Sequence, residues 1–219
     1  MTTSRTDILE KVRRSLGVAP QRQQEDITKD FEAIARKYQQ AGQLDPQSRL
    51  ELFAERLRDY GAGVYACSGN NLSSTIATVL ASRRIHRILV PPEIPASWLS
   101  SADIEFVPAD DRLTYDEMDK IEGILTACSA AIALTGTILL RHSSTEGRRA
   151  LTLVPDYHLC IVFENQVLET VPEALRRMEP FKTHPITTIS GPSATSDIEM
   201  TRIKGVHGPR TLDVVLSKD

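Results

Sequence analysis

The chain of 219 residues is poor in the groups that announce metal, redox or nucleic-acid chemistry. Its three cysteines, Cys67, Cys128 and Cys160, are odd in number, widely spaced and set in apolar stretches. No C-x-x-C spacing exists, so neither a zinc nor an iron–sulfur ligand set is encoded and no metal site is expected. Buried small thiols fit a reducing compartment, and an apolar leader is missing where Arg5, Asp7, Glu10 and Lys11 stand, so a cytoplasmic protein is expected. Neither end carries a block of one charge sign, and the net charge is −3, so the basic footprint of a nucleic-acid binder is missing. G-x-G-x-x-G, P-loop, G-x-S-x-G and H-E-x-x-H motifs are all lacking, and no bound cofactor is expected. Aromatics make up only 5% of residues, which predicts an aliphatic core. The longest uncharged run, 123–140, is interrupted by three Thr, one Ser, one Cys and the Thr135-Gly136-Thr137 break. It reads as a helix end and two strands about a turn rather than a membrane span.

What is present is a change of period near residue 60. Helices are predicted over 7–16, 27–41 and from Asp45-Pro46 to about 60, the last with an apolar stripe of Leu50, Phe53, Leu57 and Tyr60. Beyond Gly61 and Gly63, short apolar strands alternate with helices: strands at 64–67, 87–90, 104–107, 130–134, 137–141, 159–164, 187–190 and 213–217, and helices at 72–81, 114–122, 172–178 and 194–202. This alternation predicts an α/β fold with a mostly parallel sheet covered by helices on both faces, made mixed by the hairpin at Gly136. The organisation expected is an N-terminal helical extension, 1–44, followed by one α/β domain, 45–219.

Four segments carry candidate chemistry. In Ser190-Gly191-Pro192-Ser193-Ala194-Thr195, a strand runs through glycine to an expected helix start capped by Ser193, with Asp197 and Glu199 just beyond. Helix N-termini offer free N–H groups and positive dipole, so Gly191, Ser193 and Thr195 are candidate anion ligands; an ordinary capped helix is the alternative. Gly205-Val206-His207-Gly208-Pro209 places a histidine in a rigid turn, and His207, Asp197 and Glu199 are candidate acid–base groups, with Gly208 beside them. Gly136 and Thr137 could approach a ligand, and Arg148, in the Arg148-Arg149 pair, could fork a carboxylate, with a surface salt bridge as its alternative. Ser68 and Asn70, in the loop after the first strand, sit where α/β sheets often bind ligands. His158 opens an apolar strand and reads as a core histidine.

The blocks ALTGTILL, EGRRALTLVPDYHLCIVFENQVLETVPEAL, ISGPSATSDIEM and GVHGPRTLDVVLSKD, in this order, resemble the LUD-domain family. The short length and missing cysteine clusters are similar to its C-type branch rather than the larger B-type relatives with iron–sulfur ligands. The resemblance implies a NagB/RpiA/CoA-transferase-like fold. It also implies service in the oxidation of L-lactate to pyruvate beside iron–sulfur partner proteins of the LutA and LutB kind, with a small carboxylate or phosphate as ligand. Two other readings stand beside it. One is an enzyme of the cyclo-ligase, sugar-phosphate isomerase or CoA-transferase kind, which requires Asp197, Glu199, His207 and Arg148 around one pocket. The other is an assembly or regulatory module, which requires a large apolar patch and no enclosed polar pocket.

Overall fold

The computed structural model describes residues 4–17, 24–100, 103–110, 112–195, 203–204 and 207–218. The chain forms two compact units, Met1–Tyr38 and Gln39–Asp219. The first contains α1 (Ser4–Ser15) and α2 (Gln24–Ala33). The helix expected over 27–41 ends at Ala33, because the Arg36 guanidinium donates to the Phe31 and Glu32 carbonyls (2.9 and 3.4 Å) and lies over the Phe31 ring. Side-chain donors on the last carbonyls satisfy groups that another helical turn would have used.

The second unit opens with α3 (Pro46–Asp59). Its cap, Asp45, accepts from the Ser48 amide at 3.1 Å, and Leu50, Phe53 and Leu57 are buried as their spacing predicts. Further helices are α4 (Leu72–Ser82), α5 (Tyr115–Asp119) and α6 (Val171–Met178). The strands are β1 (Gly63–Ser68), β2 (Arg87–Val90), β3 (Glu105–Pro108), β4 (Gly123–Thr126), β5 (Ala130–Ile132), β6 (Thr137–Leu140), β7 (Tyr157–Phe163), β8 (Val167–Leu168), β9 (Thr187–Ile189), β10 (Ala194–Thr195), β11 (Ile203–Lys204) and β12 (Thr211–Lys218).

Six of these form one parallel sheet in the order β1-β12-β7-β4-β2-β3. Alternate residues of its central strands face opposite ways, as the pleat requires. Leu212, Val214, Leu216, Cys160 and Val162 pack with α3 and the inner side of a second sheet. Val215, Leu159, Ile161, Leu125 and Ile88 pack under α4. The result is the expected α/β architecture, a mostly parallel sheet with helices on both faces.

Three expectations about elements change. The hairpin at Gly136 is real, but β5 and β6 join β8 and β9 in a separate four-stranded sheet rather than the main one. Residues 123–126, expected as a helix end, are the buried strand β4, since a short apolar run fits either period. The helix expected over 194–202 is contradicted at its start, where β10 pairs antiparallel with β11; residues 196–202 lie outside the described residues. Among the described residues, no helix is long and apolar enough to cross a membrane.

Candidate functional site

A cavity of about 230 Å³ opens where the main sheet, the edge of the second sheet and two glycine-bearing loops meet. Its floor is His158 and Leu212, neighbours in register near the starts of β7 and β12. Thr188 and Ile189 of β9 form one wall, and Arg149 and Thr152 of a short turn form another. The rim is Ser190-Gly191-Pro192-Ser193 and His207-Gly208-Pro209. The two rim loops are tied together: the Ser193 amide donates to the Pro209 carbonyl at 2.8 Å, and the His207 amide donates to the Ser193 hydroxyl at 3.0 Å.

That tie corrects the expected role of Ser193. A helix N-cap oxygen accepts from an amide two or three residues ahead. Here it accepts from one fourteen residues ahead. The amide and hydroxyl of Ser193 are satisfied across to the 207–209 turn, and Ser193 precedes a strand instead of capping a helix.

Electrostatics set the character of the cavity. Arg149 donates through Nη1 to the Thr152 hydroxyl at 2.9 Å, and partial burial lowers its pKa. His158 is buried and shares a 2.8 Å hydrogen bond between its Nε2 and the Thr126 hydroxyl. Burial, and then the Arg149 charge, push its pKa down to about 4, so the ring is neutral at pH 7. Among the described residues, the lining includes one arginine and two histidines but no carboxylate. The site is therefore suited to a small anion, which would meet a guanidinium fork and hydroxyls in a partly desolvated setting.

The structure gathers Gly191, Ser193, His207 and Gly208 at this cavity. Thr137 stands behind it, its hydroxyl 2.8 Å from that of the lining Ser190. Gly136 is not placed to meet a ligand: it has φ +57°, and a Cβ there would lie 2.8 Å from the Arg56 Cβ. Gly191 shares that backbone, with φ +80° and a virtual Cβ 2.4 Å from the Tyr60 Cβ, so Gly136 admits α3 and Gly191 admits the residue that follows it, while Gly191 also lines the cavity. Arg148 points elsewhere, donating to the Leu113 carbonyl and lining a neighbouring cavity that Arg149 also borders.

Ser68 and Asn70 are remote. Ser68 pairs with Lys218 at the far end of β12, six residues from Leu212 and so roughly 20 Å along the strand. Thr195 lies in β10, and Asp197 and Glu199 lie outside the described residues. Thr152, Thr188 and Ser190 are polar lining residues that motif reading passed over, while His158, read as a core histidine, is buried in the floor, and Arg149 was singled out only as a member of the arginine pair. The signal for Arg149 was the arginine pair itself; which member faces the cavity depends on the turn at 149–152.

Residues 50–217 match the family described as the LUD domain. A Deinococcus radiodurans protein named Lactate utilization protein C is 42% identical over 176 residues, covering 78% of this chain and 82% of that protein. A Macrococcus caseolyticus protein of the same name is 31% identical over 179 residues, 73% of this chain and 74% of that one. A crystal structure of a DUF162 family protein from Deinococcus radiodurans superposes with a TM-score of 0.70 at 34% identity, covering 80% of this chain and 99% of that one. With the family match spanning the whole α/β sheet and a relative this similar over four-fifths of its own length, the chain belongs to the LUD domain family.

Proposed function

We propose that this protein serves lactate utilization by holding a small carboxylate, lactate or pyruvate, in the cavity at Arg149, Ser193 and His207. Iron–sulfur partner proteins would accept the two electrons released when lactate becomes pyruvate. The name carried by the relatives supports the lactate context. The observation that carries the ligand class is the lining itself: an arginine, hydroxyls at Ser190 and Ser193, and no carboxylate among the described lining residues. A volume of about 230 Å³ leaves room for a three-carbon acid with some solvent retained. The same lining disfavours the acid–base enzyme reading, which needed Arg148 in this pocket.

Calorimetric titration with L-lactate and pyruvate tests the proposal. Wild-type protein should bind at least one of them. Arg149→Gln should weaken that binding by roughly ten- to a hundredfold, the worth of a charge-assisted hydrogen bond. Equal affinity in the variant would remove Arg149 from the site. Mixing the protein with its iron–sulfur partners should give lactate-dependent dye reduction that neither component supports alone.

A further inference from the structure

The opposite end of the main sheet contains a second and larger crevice, of about 480 Å³, with a different lining. It lies at the carboxyl ends of the parallel strands. Glu93 and Pro95 follow β2, Ala127, Cys128 and Ser129 follow β4, and Phe163 is the last residue of β7. The neighbours β2 and β4 lead away from each other, β2 to β3 on one side and β4 to β7 on the other. The loops leaving them therefore part at this point, and open parallel sheets bind ligands where such a parting leaves a crevice.

The chemistry of the walls selects an occupant. Two carboxylates border the crevice, and both already have neutral donors. Buried Glu146 accepts from the Ser129 hydroxyl at 2.5 Å and from the amides of Arg141 and Ser143 at 2.7 and 3.2 Å. Glu93 accepts from the Ser144 hydroxyl. Of the two cations, Arg177 donates through Nη1 to the Asn165 carbonyl at 2.8 Å, and Arg141 is served less fully. Among the described residues neither Arg141 nor Arg177 forms an ion pair, and the buried Nε of Arg141 has no hydrogen-bond partner. The Arg141 guanidinium lies 3.9 Å from the centroid of the Phe181 ring, which fixes its plane. Trp98 and Phe163 belong to the same lining and pack together, their ring centroids 5.7 Å apart. Two guanidiniums outside direct ion pairs, in a crevice that also holds two aromatic rings, match a molecule with an anionic end and a flat apolar body.

The geometry points to a second binding site in this crevice, for an aryl-bearing organic carboxylate whose acid group meets Arg141 and Arg177 and whose ring lies against Trp98 and Phe163. This site is independent of the one proposed for lactate: along β7 the two are separated by the five residues from His158 to Phe163, about 17 Å.

Trp98 is the chain's single tryptophan, so its fluorescence reports on this crevice alone. Titration with 3-phenylpropionate should change its emission saturably. Acetate and benzyl alcohol, each carrying half of the recognition, should bind at least tenfold more weakly. Arg141→Gln and the exposed-site variant Arg177→Gln should each weaken the acid at least fivefold, while Arg149→Gln leaves it unchanged. No saturable response, an affinity unaltered in both arginine variants, equal binding of the alcohol, or a loss confined to Arg149→Gln would each overturn the assignment.

Discussion

The two cavities differ in how the chain builds them. The one at the amino ends of β7 and β12 draws its rim from 188–193 and 207–209, short glycine-bearing segments close in sequence. The one at the carboxyl ends is assembled from residues spread between Glu93 and Phe181, with no segment dominant. Among the described residues, the first is small, hydroxyl-rich and lined by one arginine. The second is larger and aromatic, with two guanidiniums free of ion pairs among the described residues. A parallel sheet thus offers two ends to chemistry, and a compact motif advertises only the end that it forms.

Perturbations confined to one end should separate the two, and the largest effect is expected from acid. His158 floors the first cavity with a pKa of about 4 against an ordinary value of 6.5. The folded protein then holds fewer protons than the unfolded chain, so its stability is complete above about pH 6.5 and is lost as pH falls toward 4. The loss should reach roughly 3 kcal/mol. Denaturant melts across this range should show the slope in wild-type protein, and His158→Gln should lack it. A slope unchanged in the variant would assign the acid sensitivity to other groups.

Gly191→Ala comes next. It places a Cβ against Tyr60 and forces alanine to φ +80°, at a cost of about 2 kcal/mol by chemical denaturation. Pyruvate binding should suffer with it, while the Trp98 response to phenylpropionate should survive. Ser193→Ala removes one neutral hydrogen-bonding group from the rim and should weaken pyruvate about fivefold by calorimetry, near 1 kcal/mol. The smallest effect belongs to Ser68→Ala and Asn70→Ala, remote from the first cavity and not among the residues lining the second, which should leave both titrations within error.

Much of this was legible because local rules decided it. Asp45-Pro46 starts α3 where capping chemistry says it should, and the 3.6-residue stripe of Leu50, Phe53 and Leu57 faces the core. The turn at Gly136 was visible in its φ-permissive glycine between apolar runs. What tertiary contacts decide was not legible. Gly123–Thr126 is apolar enough for a helix or a strand, and pairing with β7 and β2 makes it a strand. Ser193 has the chemistry of a cap, but its hydroxyl is taken by His207 across the rim. Arg148 and Arg149 are chemically alike, and the turn that aims one at the cavity and the other at Leu113 leaves no mark in composition. The aromatic crevice was invisible because its parts meet only after β2, β4 and β7 have paired.

On the proposed function, the end of the sheet bearing Arg149 holds the small acid. A crystal structure of the protein soaked with pyruvate tests it most directly. Density for the carboxylate should lie within hydrogen-bonding distance of the Arg149 guanidinium and beside the Ser193–His207 rim. Pyruvate bound instead at Arg141 and Arg177, or an empty first cavity at concentrations that saturate the calorimetric signal, would contradict it.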